Sequence, residues 1–265
     1  MYEFNYHSPS SIDEAKKILS DNDEAKLLAG GMTLLPTMKM RLASPSDLID
    51  LSKVDGLSDI SDSGDAIEIG AMVRHADVAA SDVVRAAIPA LCDLADSIGD
   101  AQVRNRGTIG GSIANSDPAA DYPAAVLGLN AVVKTDRREI AADDYFKGLF
   151  ETALEPGEIV LSVRFPKPSR AAYSKFPNPA SRYAVVGVMV AETAGGIRVA
   201  VTGAAGCAFR STAMEDALGK DFAAASLDGI VIDTADLNSD LHASSEYRAH
   251  LVGVMAKRAV SQLIA

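Results

Sequence analysis

Apolar residues recur along this chain at two spacings, and the alternation between them outlines its elements. Ser11-Ile12-Asp13-Glu14 is a capping box, with Ser at the N-cap and Glu three residues on, and it predicts a helix to about Leu19. Lys26 to Ala29 reads as a buried strand, followed by a glycine turn and a helix through about Leu42. Asp47–Leu51 and Ala66–Met72 read as further strands, so the opening units alternate strand and helix. From Ser81 to Ile98 the apolar positions Val84, Ala87, Ile88, Leu91, Leu94, Ala95 and Ile98 fall at helical spacing, with Gly99 as C-cap. Pro118–Leu127 reads as helix, Asn130–Lys134 and Glu158–Phe165 as strands.

Four prolines between Pro166 and Ser181 mark the expected domain boundary. Beyond it, Tyr183–Glu192 and Ile197–Thr202 form a predicted hairpin around Gly195-Gly196. Helical patterns then start at Ser211 and Asp221, and a longer one runs from about Ser244 to Leu263. The expectation is an α+β chain that opens with a small α/β lobe and ends, beyond the prolines, in antiparallel strands followed by helices.

The candidate chemistry lies in two turns. Leu27-Leu28-Ala29-Gly30-Gly31-Met32-Thr33-Leu34 runs from a strand through two glycines into a helix start. Glycines there let backbone amides approach an anion, and the helix N-terminus adds unpaired donors. Neither a Walker lysine nor the dinucleotide G-x-G-x-x-G spacing is present. A second turn, Thr108-Ile109-Gly110-Gly111-Ser112, has the same character, and two such turns suggest a dinucleotide held from both sides. Thr108 and Ser112 can donate to phosphate, and Asp121 can accept from ribose or ring hydroxyls.

Charge and composition narrow the partners. The 265 residues carry a formal net charge of −11, which argues against a nucleic-acid role, and Arg104-Asn105-Arg106 is too small a basic cluster to reverse that. The N-terminus lacks signal-peptide character and no run is apolar enough to span a bilayer, so a cytoplasmic protein is expected. The two cysteines, Cys92 and Cys207, match no metal spacing, so iron–sulfur ligation by this chain alone is not expected. The four histidines lack metal spacing too, and Gly203-Ala204-Ala205-Gly206 lacks the remainder of a nucleotide turn.

Five ordered segments together resemble one family. They are A-G-G-x-x-L-L-P from Ala29, I-G-A-x-x-R-H-A from Ile69, the run from Arg104 through Pro123, Asn178 to Gly187, and Ser245 to Leu251. The resemblance is to the FAD-binding medium subunit of molybdenum hydroxylases, the carbon monoxide dehydrogenase and xanthine dehydrogenase family. It implies an α+β fold with a two-lobed PCMH-type (vanillyl-alcohol-oxidase-like) FAD domain over 1–170, its lobes about 1–55 and 56–170, and a C-terminal domain over 171–265, an antiparallel sheet with helices, closing over the flavin side. By matching position, Ala29, Gly30, Gly31, Met32, Thr33 and Leu34, with Thr108, Ile109, Gly110, Gly111 and Ser112, would grip the pyrophosphate through backbone amides. Asp121 would hold ribityl or ribose hydroxyls, and Ile98 and Val160 would flank the cofactor. Lys175 matches a lysine beside the flavin ring, against the alternative of a solvated surface lysine; Tyr183 matches a residue covering the ring, against ordinary core packing. Met32 stands where the family usually has Gln or His, which leaves the backbone contacts intact.

The function so implied is electron transfer through FAD. The molybdenum cofactor would sit on a large molybdopterin-binding subunit, the 2Fe–2S clusters on a small subunit, and the complex would be a dimer of heterotrimers. Two alternatives remain: a self-contained flavin oxidase or reductase, and a non-catalytic nucleotide-binding module.

Overall fold

The computed structural model describes residues 1–264. The fold is α+β. Its first unit is a small parallel sheet in which Asp47–Asp50 lies between Asn5–His7 and Lys26–Leu28. The helix Ile12–Asp21 links the outer strands, and the Ser11 side chain accepts from the Glu14 amide as the capping box requires. The second unit is a five-stranded antiparallel sheet in the order Ile60–Asp62, Ala66–Gly70, Val160–Pro166, Val132–Thr135, Glu139–Ala141. The helices between Ala66–Gly70 and Val132–Thr135 in the sequence pack against it.

The third unit is a four-stranded antiparallel sheet of Arg170–Pro177, Ala184–Thr193, Gly196–Thr202 and Phe209–Arg210. Its strand Ala184–Thr193 is apolar at nearly every position because both faces are covered. Val186, Val188 and Val190 face the helix Ser245–Ile264 through Val252, Met255 and Ala256. Met189 and Ala191 join the largest core, with Tyr122, Val126 and Leu91 of the second unit. The period-two alternation of one strand thus joins the C-terminal sheet to the second unit.

Several predicted boundaries shift for local reasons. The single helix expected over 81–98 is two, Asp82–Ala87 and Pro89–Asp96. Ile88 adopts φ −141°, because a residue before proline is pushed out of the helical region. Gly99, at φ +49°, follows the second helix by three residues, and Asp100 caps a further short helix, Ala101–Arg104. The helix after the first glycine turn spans only Leu34–Lys39, and Arg41 at φ +61° ends the run. The helix expected over 118–127 starts at Tyr122, and the pattern from Asp221 settles as a 3₁₀ turn, Ala224–Leu227. Of the proline-rich stretch 166–181, Arg170–Pro177 is sheet and not linker.

Candidate functional site

The two glycine turns meet. An ideal Cβ built on Gly30 would lie 2.1 Å from the Arg106 carbonyl oxygen and 2.7 Å from the Gly107 Cα. Glycine at position 30 therefore lets the first turn rest on the backbone of the segment leading into the second. Gly107 in turn sits against the His75 ring, whose Nε2 would be 2.5 Å from a Cβ there. His75 donates its amide to the Gly107 carbonyl at 3.0 Å. Gly110 seats the second turn on Ala71, with a Cβ contact of 2.5 Å. Gly31 needs glycine for a separate reason, a φ of +72°. The glycines at positions 30, 107 and 110 thus pack protein against protein, which brings the turns together along one wall.

That wall borders a cavity of about 710 Å³. Of the expected site residues, Ala29, Gly30, Gly31, Met32, Thr33, Leu34, Ile98, Thr108, Gly110, Gly111, Ser112, Asp121, Val160 and Tyr183 line it. Ile109 does not, being fully buried in the core beneath the turn. Lys175 does not line it either.

The two turns offer different chemistry. Among the described residues, the amides of Gly30, Gly31, Met32, Thr33 and Leu34 have no hydrogen-bond acceptor, and Thr33 provides no side-chain cap. Several free N–H groups converging at a turn form an anion-binding concavity. In the second turn, the Ile109 amide donates to Val73 O, Gly110 to Ala71 O, Gly111 to Thr108 Oγ1 and Ser112 to Thr108 O. Among the described residues the Thr108 amide has no acceptor. The second turn thus uses four of its amides within the protein, two of them on Val73 and Ala71, and brings Ser112 to the cavity wall.

Asp121 is 4% exposed and lies on the cavity wall. Its Oδ1 accepts from the Tyr173 hydroxyl at 2.6 Å and its Oδ2 from Lys175 Nζ at 2.9 Å. Burial raises its pKa, while Lys175 and Tyr173 pull it back down. The Lys175 side chain is 6% exposed and also donates to Ser97 O at 3.1 Å, so it is not a solvated surface lysine. It stands behind Asp121 on a smaller cavity lined by Ser97, Asn178 and Arg182.

Tyr183 is 45% exposed at the cavity rim, which sets aside core packing. It is held by a closed loop in which Asn178 Oδ1 accepts from the Ala180 and Ser181 amides and the Asn178 amide donates to Tyr183 O. Arg182, at φ +61°, leans on Gly99 O.

Sequence reasoning missed three contributors. His75 is buried on the cavity wall, its Nδ1 unpaired, and burial together with the Arg104 charge lowers its pKa to about 4. Asp117 lines the cavity directly after Ser116, whose φ of +47° is unusual outside glycine, and burial raises its pKa. Tyr173 was not singled out, although it and Lys175 are two apart on one strand and so share a face. That spacing was the available signal.

The cavity's chemistry fits a dinucleotide with a flat, apolar ring. Free amides suit a diphosphate, Asp121 and Ser112 suit a polyol, and Ile98, Leu154, Ile159 and Val160 form apolar wall. The family described as "FAD binding domain in molybdopterin dehydrogenase" matches residues 2–168. The chain belongs to that family. A second family, "CO dehydrogenase flavoprotein C-terminal domain", matches residues 171–263. Among similar proteins, the nicotine 6-hydroxylase medium subunit of Paenarthrobacter nicotinovorans is 38% identical, over 96% of this chain and 95% of its own. The carbon monoxide dehydrogenase medium chain of Hydrogenophaga pseudoflava is 36% identical, over 97% and 96%. The crystal structure of the cyanide-inactivated Cu,Mo-CO dehydrogenase contains a chain that superimposes with a TM-score of 0.89 at 34% identity, over 97% of this chain and 96% of that one. This member of the FAD-binding molybdopterin dehydrogenase family is thus an oxidoreductase subunit whose cofactor is FAD.

Proposed function

We propose that this chain is the electron-transfer subunit of a molybdenum hydroxylase complex. The observation that carries the reading is one cavity lined both by five residues whose amides have no acceptor among the described residues and by a buried carboxylate held by Tyr173 and Lys175. The amides of Gly30 to Leu34 take the diphosphate, Asp121 takes hydroxyls of the sugar chain, and Ile98 and Val160 flank the ring. Tyr183 shields the open side. When bound, FAD supplies the electron-carrying chemistry that links iron–sulfur clusters of a partner to an external acceptor. The protein's own task is to hold the cofactor, exclude water from its apolar side and set the charge around it.

The molybdenum cofactor then belongs to a large molybdopterin-binding subunit and the 2Fe–2S clusters to a small subunit, assembled as a dimer of heterotrimers in the cytoplasm. No helix among the described residues is long and apolar enough to cross a membrane. We place the division between the FAD-binding part, 1–170, and the C-terminal domain, 171–265. Partner docking is supported by exposed apolar side chains, among them the adjacent Leu149 and Phe150 at a hairpin tip, 62% and 57% exposed. Purification from the native host through a tag on this chain is the test. A larger molybdenum-bearing chain and a smaller iron-bearing chain in fixed ratio are expected; recovery of the tagged chain alone would overturn the assembly.

A further inference from the structure

Asp121 faces the cavity from the N-terminal part of the molecule, yet both groups that hold it come from the C-terminal sheet. Tyr173 and Lys175 stand two residues apart on Arg170–Pro177 and point to the same side. Ser174 between them points the other way, its hydroxyl 3.6 Å from the Met255 sulfur on the C-terminal helix. Tyr173 brings its phenol to Oδ1 and Lys175 its ammonium to Oδ2, so each carboxylate oxygen is pinned by a separate donor. The neighbouring strand makes room for this. Gly187 interrupts a run of valines, and a Cβ there would lie 2.1 Å from the Tyr173 hydroxyl oxygen. Glycine inside a strand weakens it, and here the vacated space is filled by the phenol.

We propose that Tyr173 is a positioning residue for cofactor binding: its hydroxyl, with Lys175, fixes the rotamer and the ionised state of Asp121 so that the remaining lone pairs face the cofactor's hydroxyls. The inference rests on the cavity being the FAD site. Each carboxylate oxygen has two lone pairs, so one on each stays available after the phenol and the ammonium have donated. Lys175 balances the carboxylate charge, and Tyr173 adds a donor without adding charge. A buried carboxylate stripped of one donor is costlier to ionise.

The charged and titratable groups around Asp121 are Lys175 and Tyr173 on the strand, the adjacent Tyr122, Tyr183 at the rim, and Asp117 and His75 on the same cavity wall. The pKa values of all three tyrosines are raised by burial, so none of them carries charge near neutral pH. Asp117 and His75 also take up protons in acid, so the shift of the acid limb between native protein and Tyr173→Phe, not the native limb itself, reports Asp121.

The test is FAD titration of the flavin-stripped full chain by fluorescence quenching at a series of pH values, alongside thermal melts. Native protein binds FAD, with affinity falling as acid protonates Asp121. Tyr173→Phe keeps the ring and the fold, weakens FAD about tenfold for one lost hydrogen bond to a charged group, and moves the acid fall to higher pH. Lys175→Met weakens it further. Gly187→Ala, which displaces the phenol without deleting it, reproduces the shifted pH profile. A native chain that binds no FAD would remove the cavity assignment itself. A native chain that binds FAD, with Tyr173→Phe matching it in affinity and pH profile, would overturn the role of Tyr173 alone. A variant that loses affinity equally at every pH would also overturn it, since that is the signature of loosened packing.

Discussion

Replacing Gly30 by alanine probes the contact on which the cavity depends. The added Cβ would lie 2.1 Å from the Arg106 carbonyl oxygen, whereas ordinary contact begins near 3.4 Å. Both partners are backbone, so no rotamer change relieves the overlap, and the first turn must move by about 1.3 Å in a close-packed setting. A hydrogen bond to phosphate tolerates a donor–acceptor range of about half an ångström, so a shift of that size removes the bonds made by the displaced amides. Losing two charge-assisted bonds at about 1.5 kcal/mol each costs about 3 kcal/mol, or roughly 150-fold in the FAD dissociation constant. The assay is FAD titration of the stripped chain, with Gly253→Ala as control. Gly253 lies in the helix Ser245–Ile264 with nothing within 4 Å of a built Cβ. That substitution raises stability by about 0.5–1 kcal/mol and leaves FAD affinity unchanged. Full FAD affinity in Gly30→Ala, with the control behaving as stated, would refute the argument that contact between the turns sets the geometry of the amides.

Further expectations concern acid stability, the cavity rim and the partner surface. His75 is buried neutral with its pKa lowered from 6.5 to about 4, so the unfolded chain binds the extra proton first. Stability therefore falls as pH drops from about 6.5 toward 4, by roughly 3 kcal/mol at most, and His75→Gln flattens that limb in denaturant titrations followed across pH; an unchanged slope would contradict the buried neutral ring. Tyr183→Ala at the exposed rim leaves the melting temperature nearly unchanged and increases quenching of bound FAD fluorescence by iodide; equal quenching would show that Tyr183 does not cover the ring. Leu149→Asp combined with Phe150→Asp keeps FAD bound and reduces recovery of partner chains in the tagged purification; undiminished recovery would place docking elsewhere.

Much of the architecture was legible because it rests on local signals. The capping box at Ser11, the alternation along Ala184–Thr193 and the glycine pair at Gly195-Gly196 each act within a few residues, and each formed as the pattern implied. Periodicity and structure part where a local backbone rule overrides the pattern. Pro89 splits a helix that periodicity alone would continue, and Arg41 stops one early by entering the left-handed region. The glycine turns were readable as a pair, but their reason was not. The sequence suggests room for a ligand, whereas Gly30, Gly107 and Gly110 make room for Arg106, His75 and Ala71. Contacts of that kind depend on which turn faces which, and no periodicity encodes them. Asp121 was readable as an acceptor. Its ties to Tyr173 and Lys175 were not, since they cross 52 and 54 residues of chain, from a helix start to a strand of the C-terminal sheet.

The crystal structure of the FAD-loaded chain tests the central claim most directly, because the two turns are unequal in what they can offer. The account predicts the diphosphate within hydrogen-bonding distance of amides in the Gly30–Leu34 turn, with Ser112 contributing its hydroxyl and a sugar-chain hydroxyl on Asp121. A diphosphate bound away from that turn, or FAD seated outside the cavity, would contradict it.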